Sequence, residues 1–113
     1  MTVLEKAVIN EVKKIGKADI LVGIPSFRNA DTIAHVVKQA SLGIDRYFPG
    51  LKGVLVNSDG GSTDRTREVV LETPVPAGVS KIVTPYRGIA GKGSAFHTIF
   101  EIARRLDVST CVV

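Results

Sequence analysis

The sequence predicts an α/β domain, a mostly parallel sheet with helices on both faces. Three observations carry that prediction. Short runs rich in Val and Ile alternate four times with segments of helical periodicity, the pattern of βαβ units whose crossover helices cover a parallel sheet. The runs are continuously apolar, as strands buried on both faces require. The chain has 113 residues, which fits one domain with one core.

The elements follow in order. Residues 3–16 put Leu4, Val8, Val12 and Ile15 on one face, an amphipathic helix that leads the chain (1–17) and ends near Gly16. The βα units then occupy 19–113. Asp19-Ile-Leu-Val-Gly-Ile24 is a first strand, stopped by Pro25. Helical spacing returns over 31–43 through Ile33, Val36, Val37 and Ala40. A loop at Phe48-Pro-Gly50 leads to a second strand over 53–57. After Asp59-Gly60-Gly61 comes a helix with Val69 and Val70 inward, ended by Pro74. Residues 80–84 form a third strand, and a glycine-punctuated loop over 85–93 opens a helix carrying Ala95, Ile99, Ile102 and Ala103 on one face. Ser109-Thr-Cys-Val-Val113 is the fourth strand. A buried parallel strand normally runs on into a loop that carries chemistry, so this chain is expected to be one domain of a longer protein.

Composition narrows the function classes. With 44% hydrophobic and 23% charged residues, the chain is neither disordered nor low-complexity. No stretch approaches the ~18–20 apolar residues of a membrane span, and charge enters within the first few residues, unlike a secretory signal. Cys111 is the single cysteine; disulfide frameworks and cysteine metal clusters are excluded, and a cytoplasmic location is expected. The net charge is +4, yet Lys and Arg are scattered among Asp and Glu, and there is no Trp. That lacks the basic, aromatic footprint of a nucleic-acid binder. A small polyanion suits the surplus charge better.

Ligands of open parallel sheets bind beyond the carboxyl ends of the strands, here the loops 25–31, 57–64 and 85–93. In the first, Pro25 sets the exit from the strand, Phe27 is able to lie against a ring, Arg28 to meet an anion, and Asn29 to hydrogen-bond a sugar or base. The plainer alternative is that Asn29 or Asp31 caps the next helix and Phe27 is core. In the second, Gly60 and Gly61 permit close approach of backbone to a ligand. Asp59, at a strand end, is placed to accept from a base N–H or a ribose hydroxyl, or else to shape a turn. Ser62 and Asp64 read as helix caps. In the third, Lys92 stands between glycines at a helix start, where N–H groups, dipole and ammonium all favour phosphate; a solvated lysine is the rival reading. Arg87 could assist there. The spacing matches neither the Walker A pattern nor G-x-G-x-x-G. His35 and His97 fall in helices without a partner at metal spacing, and neither a Gly-x-Ser-x-Gly elbow nor a cysteine–base pair is present.

Taken together, Val22-Gly-Ile-Pro-Ser-Phe-Arg-Asn29, Asn57-Ser-Asp-Gly-Gly-Ser-Thr-Asp-Arg-Thr66 and Gly91-Lys-Gly-Ser-Ala95 resemble the nucleotide-binding half of the GT-A glycosyltransferases of the family 2-like group. The last segment is most similar to that of the glucosyl-3-phosphoglycerate synthases and related enzymes that make glucosyl- or mannosylglycerate. The resemblance covers residues from about 19 to 113. The double glycine after Asp59, and Asn29 where many relatives carry Glu, depart from the commoner pattern. What the resemblance implies is a Rossmann-like domain in which Pro25, Ser26, Phe27 and Asn29 border the uridine, Asp59 contacts the base and Lys92 the diphosphate. It implies hexose transfer from a nucleotide sugar, UDP-glucose, to a small acceptor such as glycerate or 3-phosphoglycerate. It also implies Mg²⁺ or Mn²⁺ on a motif beyond Val113, an acceptor-binding half beyond it too, and no catalytic or metal-binding residue within this chain. The fourth strand would lie near the first, leaving apolar surface that favours a homo-oligomer. Two other classes stay open: a sugar-phosphate nucleotidyltransferase, which would release pyrophosphate, and a non-catalytic nucleotide-binding or scaffold module.

Overall fold

The computed structural model describes residues 5–85 and 92–113, without the side chains of 92–94. Its elements are α1 (Lys6–Ile15), β1 (Ile20–Ser26), α2 (Ile33–Tyr47), β2 (Gly53–Asp59), α3 (Thr66–Glu72), β3 (Val79–Pro85), α4 (Lys92–Leu106) and β4 (Thr110–Val112). The four strands form one all-parallel sheet in the order β3-β2-β1-β4. Helices α1 and α4 cover one face, where Val8, Val12, Leu21, Val56, Ile82 and Ile99 meet. Helices α2 and α3 cover the other, with Ile20, Ile33, Val37, Leu55 and Val70. The expected α/β architecture, Rossmann-like in its order, is therefore present.

Three elements run two or more residues further than the sequence reading, each for a physical reason. Strand β1 runs through Pro25 to Ser26 and pairs there with Ser58 and Asp59. On its other side, pairing with β4 ends at Val22 opposite Val112. The Ser26 carbonyl accepts from Gly60 N, so alternation turns Pro25 toward the unpaired side, where a missing N–H forfeits no ladder bond. Helix α2 continues a full turn past Gly43 because Ile44 is buried and lies against Gly53, where a Cβ would come within 2.5 Å of Ile44 Cγ2. Strand β2 extends two residues past Asn57 into Ser58 and Asp59, all of them buried.

Helix ends are closed by specific groups. Lys52 Nζ donates to Ile15 O at the end of α1 (2.6 Å). Lys81, on β3, donates to Val70 O (2.8 Å), Leu71 O (2.9 Å) and Thr73 O at the end of α3; burial pushes its ammonium below the ordinary lysine value. At the end of α4, Asp107 adopts φ 52. Its N–H donates to Arg104 O and that of Val108 to Ala103 O, a Schellman closure with an aspartate in the place glycine usually takes.

Candidate functional site

From β1 the chain winds outward through α2, β2, α3 and β3 on one face. It then crosses back over the other face through α4 to set β4 on the far side of β1. Strand order thus reverses between β1 and β4, the switch point at whose carboxyl end α/β sheets place ligands. Parallel topology also brings the carboxyl ends of β1, β2 and β3 to that one edge of the sheet.

The first two loops are bound into a single unit by Asp59, whose side chain is fully buried. Its Oδ1 accepts from Ser26 Oγ (2.8 Å) and Ser62 Oγ (2.7 Å), and its Oδ2 from the backbone N–H of Gly61 (3.0 Å) and Ser62 (2.7 Å). Arg67 Nε lies 3.6 Å from Oδ2. A carboxylate has about four lone-pair sites, and this chain fills them. Hydrogen bonds to a charged group contribute about 1.5–3 kcal/mol each, which offsets burial of the charge. Gly61, at φ 84, makes the turn that points both N–H groups back at Asp59; only glycine takes that conformation without strain.

Asn57 fixes the direction of these bonds. Its Nδ2 donates to Ile24 O (3.1 Å) and to Ser26 Oγ (2.9 Å). The Ser26 oxygen is thereby occupied as an acceptor, and its proton goes to Asp59. The reverse amide orientation would set Asn57 Oδ1 against a carbonyl. Among the described residues, Asn57 Oδ1 and Ser58 Oγ are buried without a partner.

The β1 loop is tied down from β2 and α3. Arg28 N donates to Ser62 Oγ (2.8 Å) and Asn29 N to Thr66 Oγ1 (2.9 Å). Phe27 N donates to Asn29 Oδ1 (2.8 Å). Arg28 takes φ 55, a left-handed conformation that is unfavourable for a residue with a Cβ and is held by these contacts. Its Nη2 donates to Thr63 Oγ1 (3.1 Å), and its guanidinium lies 5.4 Å from the Phe27 ring centre. Phe27 is 54% exposed, so the reading of Phe27 as core does not hold. Asp64 accepts from both the N–H and the hydroxyl of Thr66. That hydroxyl is the main cause that holds its carboxyl below the ordinary value.

Of the predicted site residues, Pro25, Ser26, Phe27, Asn29 and Asp59 are brought together at one sheet end. Ser26 and Asp59 face each other within the network, Pro25 is half-buried, and Phe27 and Asn29 stand outermost. Lys92 begins α4; its side chain lies outside the described residues, as does Arg87. Ser62 does not cap α3 but bridges Asp59 and Arg28, while Asp64 does satisfy the first helical N–H. Neither Asn29 nor Asp31 caps α2 by its side chain; the backbone carbonyl of Asn29 accepts from Thr32 and Ile33 instead. His35 and His97 are exposed on their helices. The sequence reading missed Asn57, Thr66 and Arg67 as parts of the network. The signal was the abrupt change at the end of an apolar run, Val54-Leu-Val to Asn57-Ser-Asp. Among the described residues no group of three His, Cys, Asp or Glu side chains is placed to hold a metal ion, and no helix is long and apolar enough to cross a membrane.

Comparison with protein-family models, with curated proteins and with solved structures found no match.

Proposed function

We propose that this chain is the nucleotide-sugar-binding portion of a cytoplasmic glycosyltransferase that moves a hexose from UDP-glucose to a small acceptor such as glycerate or 3-phosphoglycerate. The observation that supports this reading is the locked pair of loops at the switch point. They present an exposed aromatic ring and a side-chain amide at the end of the sheet where nucleotides bind. Uridine would stack on Phe27 beside Asn29, with Pro25 and Ser26 shaping the floor. The diphosphate would lie toward the start of α4, where Lys92 and the helix dipole favour negative charge as it builds on the leaving group.

Asp59 serves the site from beneath, keeping the loop at Gly60 and Gly61 in shape. A direct contact between Asp59 and the base would require one of its four donors to be exchanged. Mg²⁺ or Mn²⁺ belongs, in this reading, to the whole enzyme; the described residues of this chain do not fit such an ion. Half-exposed Phe100, Val112 and Val113 support self-association of the chain.

Calorimetric titration with UDP tests the proposal. The unchanged chain should bind, and Phe27→Ala should weaken binding by about 1–3 kcal/mol, the range for loss of one base–aromatic stack. Lys92→Ala should weaken UDP far more than uridine. No binding of UDP at millimolar concentration would favour a scaffold role instead.

A further inference from the structure

At the opposite end of the sheet, where β2 and β3 begin, the surface carries a hollow of about 350 Å³. That volume lies within the range of small-molecule sites. It is bounded by the end of α2, the chain from Phe48 to Lys52, and Gly78 and Val79 at the start of β3. Ile44 and Val79 are its buried apolar lining, and Phe48 and Leu51 offer further apolar surface that is half-exposed. The turn between these last two is fixed by its sequence. Pro49 presets one dihedral, Gly50 takes φ 81, and Leu51 N donates to Phe48 O (3.2 Å), as in a type II turn.

The electrostatics of the hollow have one sign. Asp45 lines it and stands in the last turn of α2, at the negative end of the helix dipole. A carboxylate is unfavourable there, whereas a cation is stabilised. The residue four positions on is Pro49, which has no N–H to return to the Asp45 carbonyl. The neighbouring cations are engaged elsewhere. Lys52 donates its ammonium to Ile15 O (2.6 Å), and the Arg46 guanidinium lies 5.4 Å from the Tyr47 ring centre. Among the described residues no Lys or Arg forms an ion pair with Asp45. A helix end that breaks the charge rule without relief from its own chain is where a function is expected to supply the relief.

We propose that this hollow binds a small amphipathic amine, a primary ammonium carried on an apolar body. This inference does not rest on the nucleotide reading. The ammonium pairs with Asp45 and answers the dipole of α2, while the body removes Ile44, Phe48, Leu51 and Val79 from water. A neutral molecule of the same shape gains only the apolar part, and an anion meets the wrong sign.

The test is an amide NMR titration of the chain with phenylethylamine, phenylethanol and phenylpropionate at millimolar concentrations. The amine should give saturable shifts at Gly50, Leu51 and Gly78, the alcohol should bind about fivefold more weakly, and the carboxylate should not bind. That factor is the upper end for a solvent-exposed ion pair. Asp45→Asn should weaken the amine by the same factor and leave the alcohol unchanged. At Gly78 a Cβ would meet nothing within 4 Å, and its φ is not left-handed, so Gly78→Phe should fill the hollow without strain and abolish binding. Asp45 and Gly78 are exposed, and unshifted resonances across α4 should show that both variants keep the fold. Absence of saturable shifts with the amine overturns the proposal. So does equal affinity for amine and alcohol in the unchanged chain, or amine binding that survives Gly78→Phe.

Discussion

Along β2, Val54, Leu55 and Val56 lie between helices on both faces of the sheet, while the next three residues, Asn57, Ser58 and Asp59, are polar and just as deeply buried. The apolar half is stabilised by removal of surface from water, a force without direction that tolerates small shifts. The polar half is stabilised by hydrogen bonds of defined partner and angle, each expensive to leave unmade. Two atoms of that half, Asn57 Oδ1 and Ser58 Oγ, have no partner among the described residues. Maximum stability would have continued the valines. What the polar half supplies is a fixed geometry for two loops at the switch point, which is the property a binding site needs.

Substitutions at the two halves should separate these roles. Asp59→Ala leaves two hydroxyls and two N–H groups without their acceptor and should cost about 3–5 kcal/mol in urea unfolding. Hydrogen exchange at Gly61, Ser62 and Arg28 should rise together in that variant. Leu55→Ala should cost about 2–5 kcal/mol, with the loop amides retaining their protection relative to the global value. If both variants loosened the loops alike, the two halves would be one cooperative core and the contrast would fail.

The smallest effect is on pH dependence. Asp64 is held below its ordinary value of 3.8 chiefly by the Thr66 hydroxyl, and Glu101 below 4.5 chiefly by Arg104. A depressed carboxyl contributes stability that is present above its ordinary value and lost as the pH falls through the lowered one. Thermal unfolding midpoints should therefore drop on acidification below about pH 4.5, and Asp64→Asn should flatten the lower part of that drop. An unaltered acid limb in Asp64→Asn would remove Asp64 from the account of the β1 loop.

Much of the fold was legible because helix and strand periods are local. Val8 and Val12, Ile33 and Val37, and Ile99 and Ile102 occupy the inward faces their spacing indicates. Pro25 misled because its effect depends on which side of β1 lacks a neighbour, a fact of sheet order and not of the residue. Gly43 misled because the cost of a glycine within a helix, about 1 kcal/mol, is outweighed by burial of Ile44 one position later. In the site, Phe27, Asn29 and Asp59 were recognisable as polar or aromatic residues at strand ends. Their division of labour was not, since it rests on bonds such as Ser26 to Asp59 across 33 residues.

The sequence by itself determined the alternation of strands and helices, and hence a parallel sheet covered on both faces. Those properties follow from the burial period of each segment. Burial periods do not place β4 beside β1, which the resemblance alone implied; the tertiary structure puts it there, and with it the switch point. It alone decided that Asp59 faces inward and spends its acceptors on its own chain. A carboxylate and an amide have the same hydrogen-bonding capacity wherever they stand; whether it is spent on the fold or left for a ligand depends on which donors long-range packing brings within reach.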